Sequence, residues 1–245
     1  MSADPVGMVF AGYNSGPSRK GILLPVGSCL CFDASRRIIL TASHVLEKIP
    51  ATLPRMDVEI VPQHHSVLVG ISLGDLGWRI FLVRDHVELL PEVTALYVDP
   101  VSVDGKAFPG DMAFPVAGQP IHEFWPVHMI GYPASIQNYR TVPDEDMMEV
   151  QSYDCSNIRY SVSGTVCAYF KNQCPHFIPT ELLRAFTVDN GVLPGMSGGA
   201  VLSALPHKHE VVGMIVKNVA IEDKTQTPGY GLVHTLAVSI HDILV

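Results

Sequence analysis

Glycines and prolines punctuate most of this chain. Nineteen prolines and 20 glycines are spread through 245 residues, and each proline removes a backbone donor and disfavours helix at the residue before it. Helices are therefore confined to a few places. Between the breakers lie short apolar or alternating runs at 27–32, 37–41, 58–61, 66–71, 79–83, 94–98, 127–130, 160–170, 185–188, 200–202, 210–216 and 230–233. Many short strands with frequent turn signals predict an all-β sandwich or barrel.

The main exception lies at the C-terminus. Leu236, Ile240, Ile243 and Leu244 fall at helical spacing and predict a helix over 235–244. A short turn is expected at 180–184. Residues 99–125 lose the strand rhythm and read as a surface connector, which puts the domain boundary there and divides the chain into 1–115 and 116–245. Residues 137–155, acidic and poor in β-branched side chains, read as an exposed loop. A hydrophobic content of 47% is enough for a substantial core, in one large domain or in two barrels of roughly 100–120 residues each.

Composition also removes some partners. Sixteen basic residues against 24 acidic ones leave a net charge of -8, the wrong sign for gripping phosphate backbones, so no nucleic-acid partner is expected. The N-terminal residues lack a basic segment followed by a long apolar one, and no run approaches the roughly 18 apolar residues of a membrane span. A soluble, intracellular protein without a membrane partner is the expectation.

Five cysteines, at 29, 31, 155, 167 and 174, form an odd set without a CxxC pair. That argues against a complete disulfide framework and for free thiols in a reducing compartment. The pairs His64–His65 and His207–His209 lack a third ligand nearby, so they read as surface histidines; no metal and no cofactor is expected.

The chemistry concentrates in Leu193-Pro-Gly-Met-Ser-Gly-Gly-Ala200. Glycines at 195, 198 and 199 surround Ser197, so a substrate could come close to the backbone there. Such a segment is either a tight turn before a strand or the site of an acyl-transfer nucleophile, whose oxyanion needs N–H donors such as those of Gly195 and Ser197. A second candidate, His44, follows a short strand in Leu40-Thr-Ala-Ser-His-Val45, about 150 residues earlier.

Together the two segments are specific. Thr41-Ala-Ser-His-Val45 resembles the surroundings of the catalytic histidine in trypsin/chymotrypsin-like serine peptidases, and Gly195-Met-Ser-Gly-Gly199 resembles their nucleophile motif, in the same order along the chain. Val127-His-Met-Ile-Gly-Tyr-Pro133, Val211-Val-Gly-Met-Ile-Val216 and Pro228-Gly-Tyr-Gly231 extend the resemblance over residues 20–245, towards the intracellular and Deg/HtrA-like branches without a PDZ domain.

The resemblance implies two six-stranded Greek-key β-barrels with a C-terminal helix. It also implies a serine endopeptidase acting on protein or peptide substrates, with Ser197 as nucleophile and His44 as general base. Register places Glu92 at the triad acid, where the family expects aspartate; Asp99 and Asp85 are the alternatives. Gly195 and Ser197 would form the oxyanion hole, and Gly191, Val216, Lys217, Asn218 and Gly229 would line the specificity pocket.

Gly191, six residues before Ser197, carries no carboxylate for a basic substrate side chain, so small or medium apolar residues are expected; Asp189 and Lys217 are close enough in sequence to alter this. Met196 replaces the aspartate that pairs with a new N-terminus in clipped zymogens. Two other functions fit the same motifs: a catalytically inactive fold used for protein binding, and a self-processing viral-type peptidase. The sequence does not give the oligomeric state.

Overall fold

The structure, a computed structural model, describes residues 4–14, 21–47, 49, 63–74, 77–110, 112, 115–133, 142–144, 147–149, 159–171, 184–205, 210–222 and 231–243. Strands β1 (Val6–Asn14), β2 (Gly21–Asp33), β3 (Ile38–Thr41), β4 (Gln63–Ser72), β5 (Trp78–Leu90) and β6 (Val93–Val98) close into an antiparallel barrel in the order β1-β2-β3-β6-β5-β4. A short helix, α1 (Ser43–Glu47), follows β3.

The second barrel repeats this topology. It uses β7 (Pro126–Gly131), β10 (Tyr160–Lys171), β11 (Arg184–Val188), β12 (Ala200–Ser203), β13 (Val211–Glu222) and β14 (Gly231–Ser239), in the order β10-β11-β14-β13-β12-β7. Strands β8 (Val142–Asp144) and β9 (Met147–Glu149) form a separate hairpin within the segment expected to be a loop. Closure leaves neither barrel with an open sheet edge, so backbone groups buried with the apolar side chains find partners. Phe10, Ile39, Leu40, Phe81 and Leu96 fill the first barrel, and Met129, Phe186, Val201 and Ile215 the second, each no more than 1% exposed.

Among the described residues of 99–125 the only strand-like pairings are isolated bridges, Val101 to Ala107 and Val116 to Val211. Most expected runs fall within observed strands; 58–61 lies outside the described residues, as does most of the expected turn at 180–184.

Other elements also differ from expectation. β1 was not anticipated, because glycines at 7 and 12 interrupt its apolar pattern; it nonetheless pairs with β2 and β4 along its length. β5 continues to Leu90, and its residues 84–89 are exposed and bonded only to β6. The C-terminal helix is reduced to a single turn, α2 (Ile240–Ile243). Residues 235–239 instead belong to β14, paired to β11 and β13 on its two sides, with Leu236, Ala237 and Val238 buried. A strand buried on both faces is apolar throughout, so its periodicity cannot be told from a helix.

Candidate active site

The pairing of β3 with β6 sets Thr41 opposite Thr94. The residues just beyond Thr41 and just before Thr94 therefore emerge at the same end of the first barrel. Ser43 N–H donates to the Glu92 carbonyl at 3.2 Å, and the hydroxyls of Ser43 and Thr94 lie 2.8 Å apart. His44, in the first turn of α1, thereby has its Nδ1 2.8 Å from Oε2 of Glu92, with the two side chains 15% and 22% exposed.

Glu92 occupies a costly position. Pro91 and Glu92 form the two-residue turn between the paired Leu90 and Val93, and Glu92 has φ +64°. Left-handed backbone costs a non-glycine residue about 1–2 kcal/mol, so a glycine or asparagine would suit this turn better. The carboxylate is held well. The hydrogen bond with His44 pulls its pKa down, partial burial opposes this, and the charges of His44 and Lys217 with the Lys217 hydrogen bond lower it further, to about 2.

The other acids considered are engaged elsewhere. Asp99 is paired with Arg84, and Asp85 accepts from the backbone N–H of His86.

In the second barrel Met196 N–H donates to Leu193 C=O at 3.1 Å, closing a turn with Pro194 and Gly195 at its centre, and Gly195 has φ +94°. This is the proline–glycine form of a type II turn. After Ser197, Gly198 has φ +89°, and a Cβ there would lie 2.1 Å from the carbonyl oxygen of Ser28. Gly198 and Gly199 N–H donate to Ile215 and Met196 carbonyls at 2.8 and 2.9 Å. Among the described residues the N–H groups of Gly195 and Ser197 have no such acceptor. Met196 is fully buried in the second core, so an apolar anchor seats this loop.

One residue of the site was not singled out from sequence: Ser28, on β2 and fully buried. Its N–H donates to the Ser197 carbonyl at 2.9 Å. Its hydroxyl donates to Gly195 C=O and accepts from Tyr132 N–H, both at 2.8 Å. Its own carbonyl accepts from the Thr41 hydroxyl at 2.9 Å. A serine in the apolar run Val26-Gly-Ser-Cys-Leu30 was the available signal, but its partners Gly195, Ser197 and Tyr132 come from the other barrel.

Gly27 brings the two halves together: a Cβ there would meet the Val45 γ-carbons at 2.7 and 2.8 Å and the Ser197 carbonyl oxygen at 3.3 Å. His44 and Ser197 thus come from adjoining backbone, although among the described residues no hydrogen bond joins their side chains. Such bonds are often long before substrate binds.

Of the expected pocket residues, Gly191 and Asn218 face one another, with 3.7 Å between a built Gly191 Cβ and Asn218 Oδ1. Val216 is fully buried, Lys217 turns to Glu92, and Gly229 lies outside the described residues. Asp189 accepts from Thr165 N–H at 2.6 Å.

Cys29 and Cys31 are buried free thiols; burial, aided by the neighbouring acidic groups, raises both, Cys31 to about 12. Among the described residues no group of His, Cys, Asp or Glu could hold a metal, and no helix is long and apolar enough to cross a membrane. The side chains of His64 and His65, and residues 207–209, lie outside the described set.

Solved structures similar to this chain include proteases and a protease domain. An HtrA-type protease, AlgW, with decapeptide matches 99% of the chain at TM-score 0.60 and 16% identity, the match spanning 63% of the AlgW chain. The chain has the fold of the HtrA and trypsin-like serine proteases. The MamO protease domain from Magnetospirillum magneticum matches 98% of the chain and 94% of its own length at TM-score 0.57 and 16% identity. The Rv3671c protease of M. tuberculosis H37Rv, in an inactive form, matches 98% and 85% at TM-score 0.52 and 14% identity. No family model matches the sequence, and no curated protein does.

Proposed function

We propose that this protein is a serine endopeptidase working through an acyl-enzyme. The observation that carries the reading is the convergence between the barrels of a histidine–carboxylate pair at 2.8 Å and a serine beside two backbone N–H groups that have no acceptor among the described residues.

In this reading Ser197 Oγ attacks a peptide carbonyl while His44 Nε2 takes its proton, and the carbonyl oxygen becomes an oxyanion facing the Gly195 and Ser197 N–H groups. The nitrogen of the leaving amine receives that proton from His44, and the C–N bond breaks. Water then attacks the acyl-enzyme, again losing its proton to His44, and the ester to Ser197 is hydrolysed. Glu92 fixes the tautomer that puts N–H on Nδ1 and stabilises the imidazolium.

Protein or peptide segments are the proposed substrates, in keeping with the decapeptide in the AlgW structure. The free buried thiols support a reducing compartment. A fluorophosphonate probe tests the activity: the wild type is labelled, whereas Ser197→Ala and His44→Ala are not. An unlabelled wild type would point to a binding module on an inactive fold, and labelling that survives Ser197→Ala would move the nucleophile elsewhere.

A further inference from the structure

The segment before β1 carries a carboxylate that is held by the first barrel and met by the second. Asp4 N–H donates to the Ser72 carbonyl at 3.0 Å and Cys31 N–H donates to the Pro5 carbonyl at 2.7 Å, which stitches the segment to β4 and β2. Asp4 Oδ1 accepts from Val6 N–H at 3.0 Å, which fixes the direction of the side chain. Its other oxygen faces the second barrel, where it accepts from the Tyr132 hydroxyl at 3.1 Å and from Arg159 Nη1 at 3.0 Å.

The two partners differ in burial. The Arg159 side chain is 46% exposed, so its ion pair contributes little. Tyr132 is buried, with its ring edge-on to Trp78 and the centroids 5.1 Å apart. Burial, then the charge and hydrogen bond of Asp4, push the phenol well above its ordinary pKa, so it stays protonated and donates to the carboxylate. The Ser72 hydroxyl also reaches the phenol, but it brings no charge. Asp4 therefore sets where the buried ring sits.

The backbone of the same tyrosine reaches the nucleophile loop. Tyr132 N–H donates to Ser28 Oγ and Ser28 Oγ donates to Gly195 C=O, both at 2.8 Å. One residue earlier, a Cβ on Gly131 would lie 3.0 Å from Cβ of Met196, so this strand end packs against the loop without slack.

We propose that Asp4 is a positioning residue for the reaction: by holding the Tyr132 ring it fixes, through Ser28, the Gly195–Met196 peptide beside the oxyanion donors. This rests on the endopeptidase reading and adds to it a control point on the N-terminal segment. Withdrawing Asp4 from Tyr132 weakens catalysis while His44, Glu92 and Ser197 keep their places.

The test uses the full chain with Asp4→Ala, Tyr132→Phe, the two combined, Asp4→Asn and Arg159→Ala. Tyr132→Phe keeps the ring against Trp78 and so reads the hydroxyl alone. Each single change at the Asp4–Tyr132 contact should lower kcat on a peptide substrate about 10-fold, the scale of one hydrogen bond to a charged group, with KM unchanged. The combined variant should be no slower than the slower single one, because both changes remove the same contact. Asp4→Asn keeps an acceptor for the phenol and should recover most of the rate, and Arg159→Ala should stay within about 2-fold of wild type. Losses that multiply in the combined variant, or an equal loss in Arg159→Ala, would mean that these contacts only hold the barrels together.

The loop is also read without catalysis, by hydrogen exchange of the peptide spanning residues 193–199 in the Ser197→Ala background. The Met196, Gly198 and Gly199 N–H groups are bonded within the ordered loop, so adding Asp4→Ala or Tyr132→Phe should speed their exchange. Failure of the wild type to react with the fluorophosphonate counts against the endopeptidase reading, whereas unchanged exchange in both variants overturns the coupling of Asp4 to the loop.

Discussion

Nζ of Lys217 stands 3.2 Å from Oε1 of Glu92 while Nδ1 of His44 stands 2.8 Å from Oε2, so one carboxylate is gripped by a lysine of the second barrel and a histidine of the first. The lysine limits rotation of the carboxylate and keeps Oε2 on the histidine. It also places a positive charge behind the acid, which opposes formation of the imidazolium.

Lys217→Met leaves the carboxylate free to rotate. The value of kcat/KM should fall about 10-fold, the scale of one hydrogen bond to a charged group. The lysine side chain is 37% exposed, so the loss should shrink as salt is raised. Lys217→Arg, which keeps donor and charge, should restore the rate. A Lys217→Met protein with the wild-type kcat/KM would show that the contact does nothing for the acid.

Glu92→Gln should lower kcat by about 10⁴-fold, because an amide can present its N–H to His44 and stabilise the wrong tautomer. Asp99→Asn and Asp85→Asn should stay near wild type, since those carboxylates are engaged by Arg84 and by the His86 N–H. Steady-state rates of the three variants decide which acid serves the histidine.

The barrels were legible because closed antiparallel sheets need short strands and frequent breakers, and this chain shows both. Ser197 stood out as a candidate because glycines surround it, and His44 because of the segment Thr41–Val45 around it. Ser28 did not, and Lys217 was expected in the pocket rather than on Glu92: each meets a partner on the other barrel, and pairing across 125 or 167 positions leaves no local pattern. Strand β14 was misread in part for a related reason, its two-sided burial erasing the alternation that marks a strand.

Glu92 also ties stability to pH. Its folded pKa is depressed, so the folded state binds fewer protons than the unfolded chain as the carboxylate titrates. The stabilisation is complete above the ordinary value of 4.5 and is lost as pH falls towards about 2. Urea midpoints of wild type should fall more steeply than those of Glu92→Gln between about pH 5 and pH 3. Parallel falls would mean that the ion pairs on Glu92 do not form in solution.

Ser28→Ala probes how the oxyanion donors are oriented. The Gly195–Met196 peptide is fixed at both ends, its carbonyl by the Ser28 hydroxyl and its N–H by the Leu193 carbonyl. That peptide lies in the chain between the N–H groups of Gly195 and Ser197, the proposed oxyanion donors, so its rotation would disturb both. Losing the hydroxyl also strands the buried N–H of Tyr132, at a cost of about 1–3 kcal/mol in stability. The catalytic loss should be larger than that instability explains: kcat should fall about 100-fold with KM little changed, as when an oxyanion donor is lost. Fluorophosphonate labelling should slow in parallel, while the thermal midpoint falls by only a few degrees, about what 1 kcal/mol produces in a protein of this size. A Ser28→Ala protein with full kcat would show that the Leu193–Met196 turn holds the donors unaided.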